Sequence, residues 1–221
     1  MMDSNKAMKT LIQCDFDGTI TEKDVSFLLL DAFSEGDWRP LLAQYQQGEI
    51  SVNSFNSRAF AMVKEDRQTL LKFVRSRTRM REGVRELMTY CHRKGFEFVV
   101  VSNGLDFYIE AVLGDAGIDN IDVFAARTQF SPEGLMTRYI GPDGNQLESG
   151  FKEAYVRLFL ERGYRVVYVG NGISDIPPAR CAHNIFAIGE LLAYCKKASL
   201  NCIPFVDLTD IVRGLERLPL E

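Results

Sequence analysis

The sequence predicts an α/β fold: a Rossmann-like, doubly wound parallel sheet with an inserted all-helical cap and a β-hairpin excursion. Three observations predict it. Short apolar runs alternate with helical patterns along most of the 221 residues, which is typical of a parallel sheet covered on both faces. One long stretch, 23–79, has helical patterns and no convincing strand. Another stretch, 127–150, holds two short strand candidates and a turn signal.

Six apolar runs have the length of buried strands and are separated by helical patterns. We predict strands at 10–15, 96–101, 121–125, 165–169, 184–187 and 202–205. Two of the clearest helical patterns cover 81–94 and 207–218. In sheets of this kind, ligands bind at the carboxyl ends of the strands, where the winding reverses. Polar residues that follow these runs are therefore the first candidates for a site.

The stretch 23–79 is too long for a simple crossover between two strands. Val52, Phe55, Ala59 and Met62 recur there at helical spacing, and Ser51 is suited to the N-cap of that helix. We predict a core domain formed by residues 1–22 and 80–221, and a helical cap domain formed by residues 23–79.

The stretch 127–150 predicts the hairpin. Its strand candidates are 128–130 and 135–140, and the sequence Pro142-Asp143-Gly144 follows them. Proline is favoured at the second position of a type I turn, so we expect a turn there.

Composition limits the classes of function. With 46% hydrophobic and 25% charged residues, the chain suits one globular domain, or a core with an insert. A net charge of −4 without a basic tract argues against nucleic acid and anionic membranes as partners. The first nine residues lack the apolar stretch of a signal peptide, and the five scattered cysteines suit reduced thiols. We therefore expect a cytoplasmic protein.

The strongest local signal is the segment 15–21, Asp-Phe-Asp-Gly-Thr-Ile-Thr, which follows the first predicted strand. Asp15 at a strand end can attack phosphorus and split one difficult hydrolysis into two displacements. Asp17 can protonate the leaving oxygen and then take a proton from water. The alternative is an Asx-turn in which both carboxylates only bind backbone amides.

This segment resembles the first motif of the haloacid dehalogenase-like phosphatases, and three more motifs of that superfamily follow in the same order. Ser102-Asn103-Gly104 follows the next core strand, Lys152 opens a helical pattern, and 170–175, Gly-Asn-Gly-Ile-Ser-Asp, follows the strand at 165–169. A helical insert between the first two motifs is similar to the cap of the phosphoserine phosphatase-like branch. The opening segment is also similar to that of the methionine-salvage ketopentenyl-phosphate phosphatases.

The resemblance implies a role for each motif. Mg²⁺ would bind Asp15, the backbone carbonyl of Asp17, Asn171 and Asp175. Asp15 would be the nucleophile and Asp17 the acid and base. The phosphate would be bound by Ser102, Asn103, Gly104 and Lys152.

Asp24 lies where that branch binds the substrate's amino group, although a carboxylate that caps a helix start is an equal interpretation. The fourth motif departs from the usual pattern, because Asn171 stands where an aspartate is common. An amide oxygen can bind Mg²⁺ but brings no charge, so we expect weaker binding of the ion.

The sequence thus predicts a Mg²⁺-dependent phosphatase that hydrolyses a small phosphorylated metabolite through an aspartyl-phosphate on Asp15. Two alternatives stay open: transfer of the phosphoryl group to another acceptor, as in mutases, and a non-catalytic protein that binds a phosphorylated ligand. Dehalogenation is less favoured, since it requires neither Asp17 nor a metal.

Overall fold

A computed structural model of the chain describes residues 8–219. Its sheet has seven strands in the order β4-β3-β2-β1-β5-β6-β7. Neighbouring strands are parallel except for β4, which is antiparallel to β3. The strands are β1 Thr10–Cys14, β2 Glu97–Leu105, β3 Asp122–Gln129, β4 Met136–Arg138, β5 Arg165–Gly170, β6 Asn184–Ala187 and β7 Ile203–Pro204.

Helices connect most of these strands, as the alternating pattern predicts. Within the described residues they are α1 Val25–Phe33, α2 Arg39–Gln46, α3 Val52–Phe60, α4 Arg67–Arg77, α5 Val84–Lys94, α6 Asp106–Asp115, α7 Phe151–Glu161, α8 Ile176–Ala179, α9 Gly189–Lys197 and α10 Leu208–Leu215. The predicted α/β class, with its mostly parallel sheet, is confirmed. No helix among residues 8–219 is both long and apolar enough to cross a membrane.

The central strand β1 explains where a ligand can bind. All of Thr10–Cys14 is buried, so both faces of the strand are covered. Cys14 lies opposite Val100 of β2 and Val169 of β5. The chain winds from β1 to β2 on one side and returns to β5 on the other, so the winding reverses at the carboxyl end of β1. The polar residues that follow these positions therefore meet at one edge.

Several predicted boundaries were wrong. The second strand continues to Leu105 through an irregularity between Val101 and Leu105, so Ser102-Asn103-Gly104 lies within β2 and not after it. The predicted strands at 121–125 and 128–130 are one continuous strand, β3, which first pairs with β2 and then with β4. This pairing is the predicted hairpin.

The turn at Pro142 is also present. Gly144 donates its backbone N–H to the carbonyl of Gly141, at 2.9 Å, with Pro142 in the second position. It follows β4 and does not join the two hairpin strands.

Helices α1–α4 account for the long helical stretch between β1 and β2. Ser51 caps α3 as predicted, accepting a hydrogen bond from the Ser54 amide at 3.1 Å. Aromatic rings from three helices pack together, with Phe27 stacked on Trp38 and Tyr45 stacked on Phe55. These rings join the same apolar core as the sheet. The division into a cap of residues 23–79 and a core stays a prediction, and its outer limits, residues 1–7 and 220–221, lie outside the described residues.

Candidate active site

A cavity of about 320 Å³ lies at the carboxyl edge of the sheet, beneath helices α1–α3. Eight of the nine predicted site residues line it: Asp15, Asp17, Asp24, Ser102, Asn103, Gly104, Lys152 and Asn171. The ninth, Asp175, is fully buried. Stretches far apart in the chain therefore share one wall, because strands β1, β2 and β5 end at the same edge.

Lys152 is the cation of this site. It lies in the first turn of α7, is only 3% exposed, and its Nζ lies 2.7 Å from Oδ1 of Asp15. The same Nζ lies 2.7 Å from Oδ1 of Asp175. Gln13 of β1 donates to the carbonyl of Lys152 at 2.9 Å, which fixes the start of α7 against the sheet. One ammonium group thus bridges two buried carboxylates.

Asp175 anchors the loop after β5. Its Oδ2 accepts the amides of Asn171 and Gly172, both at 2.8 Å. Its Oδ1 accepts the Tyr168 hydroxyl at 2.6 Å as well as Lys152. Both oxygens are therefore engaged by the protein. Direct binding of a metal by Asp175 stays a prediction, and it would compete with these contacts.

Asp15 is a buried carboxyl group whose pKa is raised to near neutrality. Burial, together with the negative charge of Asp175, raises its pKa from the ordinary 3.8 to about 7. The charge and hydrogen bond of Lys152 act in the opposite direction and favour the ionised carboxylate.

Asp17 faces the helices above the sheet. Its Oδ1 accepts the Val25 amide at 2.9 Å, and its Oδ2 accepts the hydroxyl of Tyr108 and, at 3.4 Å, that of Ser26. Burial, reinforced by the charge of Asp24, raises the pKa of Asp17 to about 7. A carboxyl group with this pKa can both give and take a proton near neutral pH.

Ser102-Asn103-Gly104 forms the wall beside Asp15. Ser102 is 1% exposed, and its Oγ accepts the Gly104 amide at 3.1 Å. Because the oxygen is the acceptor in that bond, the hydroxyl hydrogen can be donated to a ligand. The side-chain Oδ1 of Asn103 is buried without a hydrogen-bond partner within residues 8–219.

Asp24 fits both of its interpretations. It is the N-cap of α1, with its Oδ1 accepting the Phe27 amide at 2.9 Å. It also lines the cavity. Burial is the main cause of a pKa of about 6 for this carboxyl, although the bond from Phe27 lowers it.

Comparison with known proteins decides the family. A profile for haloacid dehalogenase-like hydrolases matches residues 12–180. The chain belongs to this family. A relative from Geobacillus thermodenitrificans, named 2-hydroxy-3-keto-5-methylthiopentenyl-1-phosphate phosphatase, is 30% identical over 93% of this chain and 94% of its own. A relative from Brevibacillus brevis with the same name is 25% identical over 96% of this chain and 98% of its own.

Solved structures show the same fold. A substrate-bound phosphoserine phosphatase complex superposes with a TM-score of 0.69 at 20% identity, covering 95% of this chain and 99% of that one. A phospho-aspartyl intermediate analogue of phosphoserine phosphatase gives a TM-score of 0.68 at 20% identity, covering 94% and 99%. The α/β architecture of this hydrolase is therefore that of the phosphoserine phosphatases.

The family implies a divalent cation, and the donor set of this hydrolase fits one. Within residues 8–219, no group of three or more His, Cys, Asp and Glu side chains could hold an ion by itself. Backbone and amide oxygens must therefore contribute, as hard cations accept. Asn171 lines the same cavity as Asp15 and Asp17, and its Oδ1 accepts the Thr19 hydroxyl at 3.1 Å, so an ion at this oxygen would compete with that bond. Gly18 has φ of +71°, and a Cβ there would overlap the Asn171 amide.

Sequence reasoning missed the hydroxyl and amide groups that support the charged residues. Tyr108 of α6 binds Asp17, and Tyr168 of β5 binds Asp175. Asn56 of α3 donates to the carbonyl of Asn103 at 2.8 Å, and Tyr139 donates to the same oxygen at 2.7 Å. A buried tyrosine hydroxyl needs a partner, so Tyr168 inside an apolar strand was a usable signal.

Proposed function

We propose that this hydrolase is a Mg²⁺-dependent phosphatase that releases phosphate from a small phosphomonoester through an aspartyl-phosphate on Asp15. The contact of Lys152 with Asp15, at 2.7 Å in the wall of one cavity, carries the proposal. Phosphoryl transfer depends on positioning and on neutralising charge. A buried ammonium group beside a buried carboxylate supplies both the positioning and the neutralising charge.

The first step is attack by Asp15 on phosphorus. The negative charge of the transferring group would be balanced by Lys152 and by a hydrogen bond from Ser102. The carboxylate of Asp15, the backbone carbonyl of Asp17 and the amide oxygen of Asn171 would hold Mg²⁺, which supplies further charge neutralisation when bound. Asp15 must be ionised to attack, and Lys152 favours that state.

The second role belongs to Asp17. In its protonated form it would give a proton to the leaving oxygen, and as a carboxylate it would then accept one from the attacking water. Its pKa of about 7 supports both directions at neutral pH. The bonds from Val25 and Tyr108 orient the carboxyl group.

The size of the cavity supports a small substrate. A volume of about 320 Å³ is at the lower end of the range of small-molecule sites. The relatives are named for a methylthiopentenyl phosphate and the solved structures for phosphoserine. Both compounds, with other phosphorylated metabolites, form the panel on which the proposal is to be tested.

Asn171 favours one alternative, a protein that binds a phosphorylated ligand without turnover, since the metal site lacks one charge. Transfer to another acceptor shares every residue of the hydrolytic scheme. A product assay separates them: hydrolysis yields free phosphate, transfer yields a new ester, and a binding protein yields neither.

The test is phosphate release from p-nitrophenyl phosphate and the panel, with Mg²⁺ and with a chelator. We expect turnover only with the metal, and no turnover in Asp15→Asn. The matched control is Asp119→Asn, which makes the same change at an exposed position and should retain activity. Turnover by Asp15→Asn at the wild-type rate would refute Asp15 as the nucleophile.

A further inference from the structure

The peptide group between Asn103 and Gly104 is held at both of its ends by hydrogen bonds. At one end, the Asn103 carbonyl accepts the side-chain amide of Asn56 at 2.8 Å and the hydroxyl of Tyr139 at 2.7 Å. At the other end, the Gly104 N–H donates to Oγ of Ser102 at 3.1 Å. Because a peptide group is planar, any rotation of its carbonyl also rotates its N–H. The bonds at the carbonyl therefore help to set the direction from which Ser102 receives a hydrogen.

The register of the sheet leaves this peptide group out. In the pairing of β2 with β3, Val101 lies opposite Phe124, and the next paired residue of β2 is Leu105. The pairing of β2 with β1 ends at Val100. Within residues 8–219, the stretch 102–104 thus has no residue of β1 or β3 in register with it. Side chains from outside these strands supply the bonds at the Asn103 carbonyl instead.

The groups at this carbonyl form a closed triangle of hydrogen bonds. Asn56 has two amide hydrogens on one nitrogen. That nitrogen donates to the Asn103 carbonyl and, at 2.7 Å, to the Tyr139 hydroxyl, which itself donates to the carbonyl. Both lone pairs of the carbonyl oxygen are therefore used. All three residues are at most 8% exposed, which limits competition from water.

Asn56 and Tyr139 come from two segments that are bound to each other. Asn56 is in α3, and Tyr139 directly follows β4. A hydroxyl–hydroxyl bond of 2.8 Å between Ser57 and Thr137 joins α3 to β4. The ring of Tyr139 also packs edge-on against Phe151, with 5.3 Å between the ring centroids. Contacts other than the triangle thus hold both donors in place.

Tyr139 has no part in the wall of the cavity. Asn56, Ser102, Asn103 and Gly104 all line the cavity that Asp15 lines, whereas Tyr139 does not. Removal of its hydroxyl would therefore affect a ligand through the residues that Tyr139 contacts, and not through a lost contact with the ligand.

From these contacts we infer that Tyr139 and Asn56 are positioning residues for Ser102. They hold the peptide group whose N–H occupies one lone pair of the Ser102 oxygen, and so they orient the hydroxyl for donation to a phosphoryl oxygen. The inference rests on the proposed function, which places a phosphate beside Ser102. It gives α3 and the segment after β4 a part in phosphate binding, although Tyr139 lies outside the cavity wall.

A double-mutant cycle on phosphate binding tests the inference without requiring turnover. Dissociation constants of inorganic phosphate are measured by calorimetry on the full chain with Mg²⁺, for wild type, Tyr139→Phe, Ser102→Ala and the double variant. Loss of a hydrogen bond to a charged group should make Ser102→Ala about ten- to a hundredfold weaker. Tyr139→Phe should weaken binding about three- to tenfold in the wild-type background, and by less than about twofold when residue 102 is already alanine.

Additivity decides the outcome. A general loss of packing in Tyr139→Phe would weaken phosphate binding by the same factor in both backgrounds, and equal factors would overturn the inference. Wild-type affinity in Tyr139→Phe would overturn it too. So would undiminished binding by Ser102→Ala, or a wild-type protein that binds no phosphate, since the Ser102 hydroxyl would then have no phosphoryl oxygen to orient toward.

Two control variants remove similar bonds outside the cavity and should bind phosphate as tightly as wild type. Tyr155→Phe removes a hydroxyl that donates to a backbone carbonyl. Asn53→Ala, also in α3, removes an amide that donates to the Leu147 carbonyl at 2.9 Å. It is matched to Asn56→Ala, for which we expect the same non-additivity with the serine variant. If Tyr139→Phe does not fold, the Asn56→Ala cycle decides by the same criterion.

Phosphate release from p-nitrophenyl phosphate, measured in parallel, separates the two claims. A non-additive cycle in a protein that releases no phosphate would refute the proposed hydrolysis and support the positioning role. Release of phosphate with an additive cycle would do the reverse.

Discussion

Lys152 Nζ lies 2.7 Å from a carboxylate oxygen of Asp15 and at the same distance from one of Asp175. All three side chains are at most 6% exposed. The ammonium group of the lysine therefore balances two buried carboxylates that would otherwise repel each other. The chemistry proposed for Asp15 and the stability of this edge of the sheet depend on the same contact.

Replacing Lys152 by methionine should destabilise the protein. Removing one partner of a buried ion pair leaves uncompensated charge and costs about 3–5 kcal/mol. The pKa of Asp15 would rise further. A carboxyl group whose pKa is raised in the folded state contributes stability that is lost as the pH rises through that pKa. The loss should thus be larger at pH 8 than at pH 4, measured by urea denaturation.

Lys72→Met is the control for that change, since Lys72 is exposed. Adding Asp175→Asn to Lys152→Met should restore part of the lost stability. Equal unfolding free energies for Lys152→Met and the control would show that the ion pair has no structural role.

Tyr108→Phe should move the pH profile of activity. The Tyr108 hydroxyl donates to the Asp17 carboxylate and so lowers its pKa. Without this bond the pKa of Asp17 rises, and its carboxyl group, the proposed general acid, stays protonated to higher pH. The alkaline limb of kcat/KM should therefore shift upward. The control is Tyr155→Phe, which removes a hydroxyl bound to the Ile140 carbonyl, outside the site. It should leave the alkaline limb in place. A downward shift of that limb in Tyr108→Phe would contradict the role proposed for Asp17.

Asn171→Asp should tighten Mg²⁺ binding. The change adds a negative charge to the wall of the cavity that Asp15 also lines, and it hardly alters the size of the side chain. We expect a gain of about 1.4 kcal/mol, which corresponds to about tenfold in affinity. Calorimetry without substrate measures it directly. Asn201→Asp, on the surface, serves for comparison. Equal affinities in all three proteins would exclude Asn171 from the ion's surroundings.

Asp24→Asn should change how stability depends on pH. Asparagine keeps the cap of α1, but it cannot titrate. The pKa of Asp24, raised from 3.8 to about 6, means that its favourable contribution is complete below pH 4 and is lost as pH rises through 6. Wild type should thus lose up to about 3 kcal/mol relative to the variant over that window. Parallel stability curves from pH 4 to 7 would argue against a raised pKa for Asp24.

Much of the site could be predicted because its geometry follows from topology. Asp15 follows β1, and the register of β1 with β2 and β5 brings Ser102 and Asn171 to the same edge. Any parallel sheet that winds both ways from a central strand places such residues together. The helical stretch and the hairpin were equally visible, because their periodicities differ from those of the core strands.

Other contacts of the site could not be predicted, since they depend on which helices and strands pack against each other in the folded chain. Helical periodicity places Tyr108 on the buried face of α6, but nothing local says that its hydroxyl meets Asp17. The extension of β2 to Leu105 depends on pairing with Ala126 of β3, a contact distant in the chain. Two proline residues of α8 and the loop between α2 and α3 line one cavity, and only the packed chain brings them together.

The central claim is covalent chemistry at Asp15. The most direct measurement is mass spectrometry of the protein, quenched in acid during turnover with Mg²⁺ and digested at low pH. We predict one added phosphoryl group on the peptide that contains Asp15, and none in Asp15→Asn. Turnover with no phosphoryl group on that peptide, or with the group on another residue, would contradict the account.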